Sequence, residues 1–251
     1  MTKHLELSVV IPAYNEELRL PAYLAKVQAH LEAQPFSSEI IIVDDGSQDG
    51  TAAIVKRFAA KNSMVRLVRL PRNQGKGYAV KTGMLKACGK LRLFTDADGA
   101  TPITELAGLK KAIEAGADVA VGSRALKDDA HTVLTQLHRK VMGTVFNFIV
   151  KALTVKGISD TQCGFKLFTA DAANAAFSQQ RIHDFGFDVE VLYICQIKGY
   201  TIVEVPVNWI NIPGTKVKLI RDSMRMFKDV VKIRVNDWRG IYREGRKELR
   251  H

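Results

Sequence analysis

Cysteine is scarce in this chain and badly spaced for chemistry. Cys88, Cys163 and Cys195 are its only three, with no CxxC pair and no Cys/His spacing of the zinc-binding kind. A disulfide scaffold and a structural zinc are excluded, and reduced thiols in a cytosolic protein are expected. Long apolar runs are missing too. The longest, around Val141–Val155, is interrupted by Asn147 and Lys151 and falls short of the roughly 20 apolar residues of a membrane-spanning helix. The apolar run near the N-terminus is short and cut by Pro12, which is not a signal-peptide pattern. There is no internal repeat or low-complexity tract, and no G-x-G-x-x-G follows the first apolar run. Those absences argue against solenoids, disorder and a dinucleotide oxidoreductase.

Acidic residues are outnumbered: 26 Asp or Glu face 37 Lys or Arg, a net charge of +11. An anionic partner follows, and nucleic acid, anionic lipid and nucleotide phosphates all qualify. The excess is concentrated late, with twelve Lys or Arg against five Asp or Glu from Lys216 to Arg250. No nucleic-acid-binding motif accompanies it, so a nucleic-acid partner is not expected.

The first half alternates short β-rich runs with helical patterns. Leu7–Ile11, Glu39–Val43, Val65–Leu70, Leu91–Phe94 and Asp118–Val121 read as strands. Leu18–Ala33, Ala52–Lys61, Gly77–Ala87 and Ile103–Ala115 read as helices. This order predicts βαβ units, a mostly parallel sheet and helices on both faces, an α/β fold. Later come an expected helix over His131–Val155, a strand at GFKLF, a helix over Phe187–Lys198, a strand over Thr201–Trp209 and a basic helical tail from Leu219. The division expected is a catalytic domain over 1–215 and a C-terminal segment over 216–251.

Ligands of open α/β sheets sit beyond the carboxyl ends of the strands, and there the acidic residues gather. Tyr14, Asn15 and Glu16 follow the first strand, Asp44 and Asp45 the second, and Asp96 and Asp98 the fourth. Carboxylates two apart at a strand mouth suit Mg²⁺ or Mn²⁺, and such a metal also binds diphosphate; the plainer reading of DADG is a solvated turn. Asp45 is placed to accept a base N–H, while Ser47 or Asp49 has the character of a helix cap. Lys76, between Gly75 and Gly77 at a helix opening, suits phosphate; the plainer reading is a loop.

The runs SVVIPAYNEE, VDDGSQDGT, NQGKG, DADGAT and GSR resemble the family-2 inverting glycosyltransferases of GT-A fold. DADGAT together with DTQCGFKLF, FDVEVLY and VPVNW is narrower, and resembles the dolichyl-phosphate β-glucosyltransferases, relatives of the polyprenyl-phosphate mannose synthases. The resemblance spans roughly residues 5 to 220. It implies Pro12, Tyr14 and Glu16 at the base and ribose, Asp45 on the base, Asp96 at ribose and metal, and Asp98 on the metal. Arg124 and Arg139 match arginines that hold the donor diphosphate and the acceptor phosphate. Mannose-type relatives carry a metal-binding Gln two residues after the second Asp, where this chain has Ala100; the difference favours glucose. Their arginine before the glycine is replaced here by Ile212-Pro213, which makes Lys216 the closing cation.

The reaction so implied is attack by a lipid phosphate on UDP-glucose with inversion, helped by Mg²⁺ or Mn²⁺. A phosphate monoester is largely dianionic near neutral pH, its second pKa being about 6, so no base is required. Asp160 and Gln162 line the sugar or acceptor cleft, or Asp160 caps a turn. Asp188 and Glu190, two apart on a helix, cannot share one face, and either is a candidate catalytic group. The tail either lies on an anionic membrane surface or packs on the domain. The protein is expected to be peripheral on the cytoplasmic face of a membrane. The rival reading is a family-2 transferase using GDP-mannose or another donor, or a glycan hydroxyl acceptor, which would need Asp160, Asp188 or Glu190 as base.

Overall fold

A computed structural model of the chain describes residues 5–126, 133–134, 155–212 and 219–243. Five strands alternate with four helices in the first half: β1 (Leu7–Ala13), α1 (Leu20–Glu32), β2 (Ser38–Asp44), α2 (Thr51–Lys61), β3 (Val65–Arg69), α3 (Lys76–Lys86), β4 (Leu91–Thr95), α4 (Leu106–Glu114) and β5 (Val119–Ser123). Then come β6 (Val133–Leu134), β7 (Phe165–Thr169), α5 (Ala170–Gln179), α6 (Phe187–Ile197), β8 (Ile202–Pro206), β9 (Trp209–Ile210) and α7 (Leu219–Trp238).

The main sheet runs β3-β2-β1-β4-β7-β5-β8. All its pairings are parallel except those of β7, which runs antiparallel to both β4 and β5. Every residue of β1 is buried, as a strand covered on both faces must be. The pleat sends Val10 to the layer of α3, α5 and α6, and Val9 and Ile11 to the layer of α1, α2 and α4. Each such aliphatic side chain contributes about 1.5–3 kcal/mol on burial. The β1–β4 ladder stops at Val10↔Phe94, so Pro12 lies beyond it and its missing N–H costs no bond there.

This topology brings the chemistry to one rim. The carboxyl ends of β1, β2, β4 and β5 point the same way. Because β7 is antiparallel, the chain enters it at that rim through Asp160–Gly164.

The strands and helices of the first half stand where periodicity places them, within two residues at most ends. Two later expectations need correction, and one element lies outside them. The helix expected from His131 falls mostly outside the described residues, and its Val133–Leu134 form β6, paired with Trp209–Ile210. The single strand over Thr201–Trp209 is two strands, because β8 ends at Pro206. Helix α5 was not expected at all: its alanines carry little amphipathic signal, although Thr169 caps it by accepting the N–H of Ala172.

The tail is partly core. Val230, Ile233 and Tyr242 are buried in the same cluster as α6, and the Tyr242 hydroxyl donates to Glu190 at 2.5 Å. Among the described residues no helix is long and apolar enough to cross a membrane.

Candidate active site

Two loops at the ends of β1 and β2 are laced together first. Asn15 adopts φ 52°, a left-handed conformation that asparagine tolerates. Its N–H donates to Ser47 Oγ, and its own side-chain oxygen accepts the N–H of Gln48, both at 2.9 Å. The N–H of Glu16 reaches Thr51 Oγ1 at 2.8 Å. Gly50 is the N-cap of α2 and no side chain caps it; Asp49 instead closes the turn before the helix by accepting the N–H of Thr51, and Ser47 ties loop to loop. Between these loops and the end of β3 lies a cleft of about 610 Å³ lined by Tyr14, Gly46, Gln48, Arg69 and Arg72.

Asp45 is buried beside that cleft. Its two oxygens accept the N–H groups of Gln74 and Gly75 at 2.8 and 2.9 Å. Burial raises its pKa, and those two hydrogen bonds oppose the rise. In this arrangement Asp45 holds the loop that launches α3. Gly75 stands at φ 99°, and a Cβ there would meet the His183 carbonyl oxygen at 2.5 Å.

The next residue links this loop to the second carboxylate cluster. Lys76 Nζ lies 2.6 Å from Asp96 Oδ1. Burial alone would lower the lysine's pKa, but Asp96 and Asp188 outweigh it and the net shift is upward. Asp96 is itself pinned by its N–H to the Gly164 carbonyl at 3.1 Å. A Cβ at Gly164 would fall 2.1 Å from Asp96 Oδ2, so glycine is what leaves room for the carboxylate.

Asp98 accepts the N–H of Ala100 at 3.0 Å. Arg19, forked onto Glu16 at 2.5 and 2.7 Å, stands 4.0 Å from Asp98. Burial and then the charge of Asp96 push the Asp98 pKa up. Hard oxygen donors under mutual repulsion, with an ammonium already lodged against one of them, fit a divalent cation. Among the described residues no group of three or more His, Cys, Asp or Glu converges.

Arg124 follows β5 on the same rim. Its Nε and Nη2 donate to the two oxygens of Asp160 at 2.7 and 2.8 Å, and its backbone N–H donates to Asp160 at 3.0 Å. Burial would raise the Asp160 pKa, but the charge and hydrogen bonds of Arg124 prevail and lower it. The other face of the guanidinium has Trp209, 5.5 Å to the ring centroid. Gln162 closes the Asp160 turn through its N–H at 3.2 Å. The N–H of Ile210, beside Trp209, bonds the Ala100 carbonyl at 2.9 Å, tying β9 to the carboxylate loop.

Asp188 and Glu190 are both buried, on different sides of α6. Asp188 is ion-paired to the fully buried Lys166, and Glu190 accepts from the N–H groups of Arg181 and Ile182 and from Tyr242. Breaking a buried pair such as Lys166–Asp188 costs about 3–5 kcal/mol.

The structure thus brings Lys76, Asp96, Asp98, Arg124 and Asp160 to one rim, with Tyr14, Glu16 and Asp45 along it and Pro12 beneath. Arg139 and Lys216 lie outside the described residues. The sequence reading passed over Arg19, Gly164, Lys166 and Trp209. Only the tryptophan, inside VPVNW, and the glycine before β7 left a visible sign.

The model for glycosyl transferase family 2 matches residues 8–177. The dolichyl-phosphate beta-glucosyltransferase of Dictyostelium discoideum is 41% identical, covering 94% of this chain and 76% of its own length. The human protein of the same name is 38% identical, covering 95% and 78%. The fold is shared with glucosyl-3-phosphoglycerate synthase from Mycobacterium tuberculosis, solved with Mn²⁺, UDP and phosphoglyceric acid. Its TM-score is 0.68 at 17% identity, over 98% of this chain and 80% of that one.

Proposed function

The chain belongs to glycosyl transferase family 2, and from that premise we propose that it moves glucose from UDP-glucose to a dolichyl-type polyprenyl phosphate with inversion, giving a β-linked product. The three carboxylates that a hydroxyl acceptor would need as base carry this reading. Asp160 is spent on Arg124, Asp188 on Lys166, and Glu190 on two backbone N–H groups and Tyr242. A phosphate acceptor, already dianionic, needs none of them.

In the proposed complex the cleft beside Tyr14 and Gln48 takes the uracil and ribose, and Asp45 shapes its edge. Asp96 and Asp98 hold Mg²⁺ or Mn²⁺, which would stabilise negative charge on the departing UDP. Arg124, locked in orientation by Asp160, offers its remaining N–H groups to phosphate oxygens; a rigid fork is better suited to this than a point charge. Arg139 and Lys216 are assigned to the acceptor phosphate and to closure over the donor. The tail brings the site to a lipid surface through the exposed stripe of α7.

A donor screen tests the proposal: full-length protein with labelled UDP-glucose or GDP-mannose, a short polyprenyl phosphate, and added or omitted EDTA. UDP-glucose turnover is expected, abolished by EDTA and by Asp98→Ala. Turnover that survives Asp98→Ala would refute the metal assignment, and equal use of GDP-mannose would refute the sugar.

A further inference from the structure

Lys76 stands where two partners compete for it. Its ammonium is 2.6 Å from Asp96 Oδ1, on one of the two carboxylates assigned above to the divalent cation. An ammonium and a metal ion cannot share that oxygen closely, because like charges at such range repel strongly. For a metal to bind, Lys76 has to release Asp96.

Among the described residues, the other carboxylates near the lysine are already engaged. Asp188, the next acid within its electrostatic reach, is taken by Lys166, which is fully buried and also donates to the Cys163 carbonyl at 2.5 Å. Asp98 is engaged by the N–H of Ala100 and faced by Arg19. Nor does the backbone give way. A Cβ at Gly75 would collide with the His183 carbonyl, and one at Gly77 would lie 2.7 Å from Phe187 Cβ, so the first turn of α3 is wedged against the 182–187 segment. Phe94 lines the side of the ammonium at 5.4 Å and offers no anion. With that backbone wedged, the side chain itself is what can swing, and an anionic ligand is a partner able to draw it off.

We propose that Lys76 is a built-in counter-cation that holds the metal site shut until a diphosphate takes its charge, so that divalent metal and nucleotide diphosphate bind with positive cooperativity through this one side chain. The inference rests on the reading that Asp96 and Asp98 are the metal ligands and that the donor carries a diphosphate. Coupling of this kind is reciprocal: whatever factor the nucleotide adds to metal affinity, the metal adds to nucleotide affinity. It also gives the order of events a physical cause. Lys76 balances Asp96 when the site is empty, and metal and diphosphate take over that balance together.

The test is a Mn²⁺ titration of full-length protein, followed by the electron paramagnetic resonance signal of free Mn²⁺, with and without UDP. Wild type, Lys76→Met and Lys76→Gln are compared, with Asp98→Asn as the site control and circular dichroism as the check on folding. Wild type is expected to bind Mn²⁺ weakly alone and more tightly with UDP. Removing the ammonium should tighten binding of Mn²⁺ alone by roughly ten- to a hundredfold, the worth of a charge-assisted hydrogen bond at Asp96. The enhancement by UDP should shrink by the same factor. Unchanged or weaker Mn²⁺ binding in both folded Lys76 variants would overturn the inference while leaving the metal site standing. No Mn²⁺ binding by wild type under either condition, or binding that survives Asp98→Asn, would overturn the metal reading and this inference with it.

Discussion

Arg124 and Asp160 show how one charge is made useful by another. Three donors of the arginine meet one carboxylate, which fixes the plane of the guanidinium. Arg124→Lys keeps the charge but loses the fork. It should lower kcat/KM by about a hundredfold, the cost of misplacing a group that acts by alignment. Asp160→Asn should do the same, and the double variant should be no worse than the poorer single one, because the two act as a unit. Steady-state kinetics decide the point; additive losses would mean that each residue has its own separate role. Glu16, Asp45, Asp96 and Asp98 were legible in the sequence because each follows an apolar strand. What they are bound to was not. Lys76 reads as a phosphate ligand from its glycines and is found on Asp96. Arg19 has no motif to mark it and is found forked to Glu16, facing Asp98. Side-chain direction at a loop is set by residues far off in sequence, and periodicity says nothing of them.

Elements were legible where their period was strong and their connections short. β1 to β5 with their helices follow from alternation alone. The position of β7 does not, since a strand that leaves the second half of the chain to enter the middle of the sheet antiparallel is a tertiary fact. α7 illustrates a different limit. Its sequence offers two apolar stripes, and only packing decides which one is buried. Val230 and Ile233 went inward, and with them Asp229, whose carboxyl lies against Gly186 at the head of α6. Burial, then the nearby charge of Asp184, pushes the Asp229 pKa up to about 6. An acid whose folded pKa is raised favours the protonated form. The native state is therefore penalised above that pKa and not below the unfolded value of about 4. Asp229→Asn should accordingly stabilise the protein at pH 8, by up to about 1 kcal/mol once solvent screening is allowed for. The gain should fade as pH falls from about 6 to 4. Thermal melts across that range measure it; a gain that persists at pH 4 would rule out titration of Asp229 as its source.

At the scale of the whole molecule, the basic excess read from composition is on display along α7. Phe227, Val231, Val235 and Trp238 are 47, 45, 37 and 84% exposed. Arg225, Lys228, Lys232 and Arg239 stand exposed around them. Apolar side chains edged with cations suit an anionic lipid surface. Replacing Phe227 and Trp238 by serine should reduce co-sedimentation with phosphatidylserine-containing vesicles several-fold, while turnover of a short, water-soluble acceptor is kept. Undiminished vesicle binding would move the contact elsewhere. The sheet carries a consequence of another kind. Synthesis delivers β1 to β5 first, and until Phe165–Thr169 emerges β4 and β5 each present a bare edge and Asp96 has no carbonyl to receive its N–H. A nascent chain is thus unable to assemble the acidic rim until well past its midpoint, when that one antiparallel strand slots between its neighbours.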